Sequence, residues 1–150
     1  MAVDTPTLYR GLVGRLALVR GLREAEGVLG PGREPASIVH RSFSLVLGAD
    51  IDAGERVRSG GTLAVWVSFL VMLAHRLRPK EGNEALLECY SDRDAVRQVL
   101  LAERDDVLAA VQHLIVYEGS DAPIIAGGGA YVLSMLRWRV LQHLALSVTL

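Results

Sequence analysis

Apolar and polar residues follow two different periods along this chain, and each change of period marks a change of element. Leu8, Leu12, Val13, Leu16, Val19 and Leu22 recur at three- and four-residue spacing, as one buried face of a helix requires. Asp4 or Thr5 caps that helix, and Pro6 stands at its first turn, where a missing N–H costs nothing. Gly27 to Pro35 is Gly/Pro-rich and reads as a loop. The period then drops to two: Val39, Arg41, Phe43, Leu45 and Leu47 alternate with His40, Ser42 and Ser44, as in a strand. Gly48 to Gly61, with three acids, two arginines and four glycines, reads as a long polar connection. Connections of that length in a compact domain are usually functional.

Thr62 to Pro79 is rich in β-branched and aromatic residues, among them Val65, Trp66, Val67, Phe69 and Val71, which favours a strand. It is apolar on both alternating faces as far as Ala74, so both faces should be covered. About sixteen strand residues span roughly 53 Å. A globule of 150 residues is only about 40 Å across. The strand must therefore bend around the core or project beyond it, and a projecting apolar strand needs a neighbour. Lys80 to Asn83 is a turn, and Glu84 to Tyr90 a short helical piece. Ser91-x-x-Asp94 resembles an N-terminal cap, so a second helix should start there and run to about Glu103, with Val96, Val99 and Leu100 inward. Val111 to Tyr117 suits a strand, although Asp105 to Gln112 could equally continue as helix. Glu118 to Ala130 reads as a loop, and Tyr131 to Leu146 fits either period. Its aromatics and the glycines before it favour a strand. The expectation is one α+β domain over residues 1–150, a mixed or antiparallel sheet of about four strands flanked by two helices in the order α-β-β-α-β-β.

Half the residues are apolar and the mean hydropathy is positive. An apolar excess over what one core can hide is often covered by further copies of the chain. Sixteen basic residues against seventeen acidic ones predict no electrostatic wrapping of nucleic acid. Cys89 is the single cysteine, so no intrachain disulfide forms and a reducing compartment fits. It reads as a half-buried hydrophobe. Met1 to Pro6 lacks a basic start followed by an apolar run, so no signal peptide is expected. The longest apolar stretch, Leu63 to Ala74, is shorter than the roughly 20 residues of a bilayer-spanning helix, and no membrane association is expected.

Candidate chemistry is sparse. Asp50, Asp52 and Glu55 fall within six residues, but their spacing does not match an EF-hand loop. A solvated turn or an acidic contact loop fits them better, so no metal is expected. Gly127-Gly128-Gly129 lacks the lysine and hydroxyl of a phosphate cradle. His40, His75, His113 and His143 lie on four separate elements, and no pair has the spacing of a zinc site on one helix. No Gly-x-Ser-x-Gly elbow is present. Trp66 and Trp138 sit in apolar runs and read as core. Arg10, Arg15, Arg20 and Arg23 occupy the remaining surface of the first helix. They read as a solvated face or, more sharply for Arg10, Arg15 and Arg20, as a contact for an acidic partner. No catalytic residue and no cofactor are assigned.

The middle of the chain carries a resemblance. His40-Arg41-Ser42-Phe43-Ser44 enters the first strand. Arg56-Val57-Arg58-Ser59-Gly60-Gly61-Thr62 leads into Val65-Trp66-Val67-Ser68-Phe69. His75-Arg76-Leu77-Arg78-Pro79-Lys80 closes the strand ahead of a capped helix. This run, over roughly residues 37 to 102, resembles the tail-terminator and neck proteins of long-tailed phages and phage-like particles. The resemblance implies a non-enzymatic virion protein, assembled in the host cytoplasm as a sixfold ring on the tail tube. Its partners would be further copies of itself, the tube protein and a head-neck connector protein, with DNA passing through the lumen unread. The hairpin loop would be the contact element, with Asp50, Asp52, Glu55, Arg56 and Arg58 as its contact residues. Another neck, connector or tube subunit is the nearest alternative. A small-molecule-binding α+β domain with a pocket under the sheet is the alternative from a different class.

Overall fold

The computed structural model describes residues 3–52, 62–78 and 82–145. The elements, in chain order, are α1 (Thr5–Leu16), β1 (Arg23–Glu24), β2 (Ser42–Asp52), β3 (Thr62–Arg76), α2 (Gly82–Leu101), β4 (Ile115–Ser120), β5 (Ile124–Ala126) and β6 (Tyr131–Ala145). Short 3-10 turns at Pro35–Ser37 and Gln112–Leu114 precede β2 and β4. The protein is α+β as expected, but its sheet has six strands among the described residues, in the order β1-β2-β3-β6-β4, with β5 also on β6. The extra strands, β1 and β5, have two and three residues, too few to show a period. β1 runs parallel to β2, and every other pairing is antiparallel.

β3 and β6 pair in unbroken register from Thr62↔Ala145 to Arg76↔Tyr131. The long strand read from Thr62 and the strand preferred at Tyr131 are therefore partners. One face of this ribbon carries Val65, Val67, Phe69, Val71 and Leu73 beside Val140, Trp138 and Leu136. Both helices cover it with Leu8, Leu12 and Leu16 of α1 and Val96 and Leu100 of α2. Trp138 stacks on Phe69 at 5.9 Å between ring centres and packs tilted against Tyr117 at 4.9 Å, so it is core as expected. Trp66 is on the other face and only half buried. On that face a smaller cluster of Leu29, Ile38, Ala74, Ala126, Tyr131 and Leu133 covers the end near β5.

Several boundaries differ from the sequence expectation. α1 ends at Leu16 rather than near Leu22. Its cap is Asp4, whose carboxylate accepts the Thr7 N–H at 2.8 Å. β2 starts at Ser42 rather than Val39 and runs to Asp52, so the first residues of the expected loop are strand. A bulge between Leu47 and Asp50 breaks the alternation there. Glu84–Tyr90 and the segment from Ser91 form one helix, and Ser91 lies inside it rather than at a cap. The strand expected over Val111–Tyr117 begins only at Ile115. The expected loop Glu118–Ala130 contains the end of β4 and all of β5.

Candidate functional site

The two His-Arg pairs singled out in the sequence meet. His40-Arg41 leads into β2 and His75-Arg76 ends β3, and the register Ser42↔Ala74 brings them side by side. Their imidazoles pack edge to face at 5.8 Å between centres. The Arg76 N–H donates to His40 Nδ1 at 3.0 Å. That acceptor role places the His40 proton on Nε2, which donates to Glu88 Oε2 at 3.0 Å. Glu88 and Asp92, four residues apart on α2, present their carboxylates on one helix face.

Asp92 is the centre of the cluster. Its Oδ2 accepts from His75 Nε2 at 2.7 Å and from Arg41 Nε at 3.0 Å, and its Oδ1 accepts from Arg41 Nη2 at 2.7 Å. The His75 side chain is 0% exposed and that of Asp92 4%. Burial alone would depress the imidazole. The Asp92 hydrogen bond and the adjacent Cys89 thiol outweigh it and raise the His75 pKa to about 9. Asp92 is opposed by burial too, yet its bonds to His75 and Arg41 hold its carboxyl below the ordinary value. His75 Nδ1 makes no hydrogen bond of good geometry; Cys89 beside it is fully buried, not half-buried as the sequence suggested.

Arg41 occupies this position at a cost. Its φ is 57°, the left-handed region that non-glycine residues rarely enter. The guanidinium also donates to the Arg20 carbonyl at 2.8 Å. Gly21, at φ +81°, lies under it, and a Cβ there would sit 2.3 Å from Arg41 Nη1. One ionic cluster thus ties the segment after α1, the start of β2, the end of β3 and the middle of α2 together. A cleft of about 290 Å³ opens beside it, bounded by His40, Arg76, Arg78, Glu84, Ala85 and Glu88. Chemically the cluster is a latch. His75 is buried and engages Asp92 through Nε2, an arrangement that favours the protonated imidazole and so disfavours its use as a base. Among the described residues no group of three or more His, Cys, Asp or Glu side chains is placed to hold a metal.

The expected contact residues fall elsewhere. Asp50 and Asp52 are in β2, opposite Val67 and Val65, instead of in a loop, and Asp50 is exposed. Glu55, Arg56 and Arg58 lie outside the described residues. Arg10 and Arg20 are exposed on and just after α1. Arg15 overturns both the solvated-face and the partner-contact readings: it is 1% exposed. Its guanidinium forms a pair of bonds with Asp106 at 2.9 and 3.0 Å. It also donates to Gln112 Oε1 at 2.5 Å and to the Ala102 carbonyl at 2.8 Å, binding the otherwise unpaired C-terminal end of α2. Its position gave a usable signal, because Leu8, Leu12, Arg15 and Leu16 share one helical stripe. His40 and His75 lie on separate elements, as read from the sequence, yet they meet in the fold. Pairing of distant strands brought them together, and no local spacing encodes that.

No known family's sequence model matches the chain, and no curated protein matches it. No helix among the described residues is long and apolar enough to cross a membrane.

Proposed function

We propose that this protein is a ring-forming subunit of a phage or phage-like tail. Six copies would cap the tail tube, end its polymerisation and offer the joining surface to the head-neck connector. The observation that carries the reading is a face of the long sheet that the described residues cover only at its β5 end. β3 and β6 each run fifteen residues, about 50 Å at strand rise, and both helices lie on one face. On the other face Val46, Trp66, Leu70 and Leu141 are half buried and Ile51 is 66% exposed. Arg139 lies 4.5 Å above the Trp66 ring. An apolar sheet face with a polar fringe suits a permanent protein neighbour.

The resemblance of the β2–β3 region to terminator and neck proteins supplies the kind of neighbour. The near-zero net charge of −1 suits a lumen that lets DNA slide past without holding it. The latch around Asp92 fits a structural role, since it braces the base of the hairpin that the ring would load. The test is to add the purified protein to polymerising tube subunits of the same particle. Capped tubes of limited length, with rings at one end in negative stain, are expected. Tubes that elongate as they do without the protein would count against the proposal.

A further inference from the structure

A slot runs along the outer edge of β2. β1 pairs only with Ser42 and Phe43. The Phe43 carbonyl accepts the Ala25 N–H at 2.7 Å on the side away from β3. Backbone groups alternate along a strand, so those of Leu45 and Leu47 point to that same outer side, beyond the reach of β1. The slot has walls on both faces of the sheet. Thr5, Pro6, Tyr9 and Arg10 of α1 form one, Val28 and Val46 the other, and they flank an open space of about 640 Å³. Val28 is 64% exposed. Backbone donors and acceptors that bond no described residue outside the sheet, set between two largely apolar walls, match one kind of occupant, an extended chain that adds as a strand and sends alternate side chains to either wall.

The opposite edge of the same sheet carries such a chain. Asp121 N–H donates to the Met135 carbonyl, so odd-numbered residues of β6 face β4 and β5. In the register Ile124↔Leu133, Ile125↔Val132 and Ala126↔Tyr131, the backbone groups of Ile125 then point outward. Ile124 is 52% and Ile125 64% exposed, and they project to opposite faces.

We propose that β5 of one copy of this chain docks as an added strand on the β2 edge of the next, Ile125 against the Pro6–Tyr9 wall and Ile124 against Val28 and Val46. β3 and β6 lie between the two edges. The contact is therefore head-to-tail, the type that closes into rings or runs on as filaments. The inference rests on the self-assembly in the reading above and specifies its interface.

The test uses two preparations with distinguishable tags, Val28→Cys in one and Ile124→Cys in the other. The native Cys89 is fully buried in both. Under mild oxidation the mixture should give a disulfide-linked heterodimer at least tenfold above a control mixture of Val28→Cys with Glu103→Cys, an exposed position after α2. Neither preparation alone should cross-link. Cross-linking of Val28→Cys with itself would show a two-fold contact and overturn the inference. A mixture that assembles by light scattering but does not cross-link would also overturn it, leaving self-assembly intact. A protein monomeric at every concentration would remove both the inference and the ring.

Discussion

Replacing Asp92 by Asn should unfasten the latch while leaving its shape. Two interactions lose their charge. His75 sits 2.7 Å from Asp92 with side-chain exposures of 0% and 4%, and Arg41 sits at 2.7 Å with 29% and 4%. Raising the imidazole pKa from 6.5 to about 9 corresponds to about 3 kcal/mol of stabilisation. The partly exposed Arg41 contact adds at most about 1 kcal/mol after screening. The expected loss is therefore about 3–4 kcal/mol, within the range for removing one member of a buried pair. A domain with roughly 5–15 kcal/mol in hand survives it. Urea denaturation of both proteins at pH 7 reads the difference, and the His75 imidazole shifts are followed by NMR titration. The folded pKa of His75 lies above its unfolded value, so its contribution is complete below pH 6.5 and lost as pH rises through about 9. That of Asp92, whose pKa is lowered, is present above 3.8 and lost as pH falls. Wild-type stability should thus decline above neutrality, and the variant should not show this decline. A loss under about 1 kcal/mol, or a His75 in the variant that still titrates near 9, would refute the assignment of Asp92 as the group that holds the cluster.

Other substitutions separate buried from displayed residues. Arg15→Ala strands the Asp106 carboxylate and frees the α2 carbonyls, and should cost about 3–5 kcal/mol in chemical denaturation. Arg10→Ala and Arg20→Ala, both exposed, should stay within about 0.5 kcal/mol. Gly21→Ala forces its methyl into Arg41 at a positive φ and should cost more than about 1 kcal/mol by the same assay; a neutral result would show that Arg41 is not held there. Ile51→Glu, on the sheet face away from the helices at 66% exposure, should leave the melting temperature nearly unchanged but abolish rings in sedimentation velocity. Rings that survive this change would take that face out of the interface.

How far the fold could be read from sequence depended on where its information is local. β3 was legible from its β-branched and aromatic residues, whereas the period of β6 fits helix and strand alike, and only its aromatics and the glycines before it favoured the strand. β2 was read short because Gly48 and the bulge break the alternation. Gly48 lies close against Ser68, where a Cβ would come within 2.6 Å of the hydroxyl. α2 was split because Ser91 and Asp94 mimic a cap, although Asp94 is engaged with Arg97 three residues on. The Asp92 latch was illegible for a different reason. Its members are 17 and 51 residues apart in the chain, and only the β2–β3 register and the packing of α2 on β3 bring them together.

Deleting the gene from the parent phage or particle-producing strain and imaging the lysate by electron microscopy tests the central claim most directly. The account predicts separate heads beside tails of abnormal and irregular length. Tails of normal length would contradict it, and if those tails lacked heads the protein would belong to the head side of the neck.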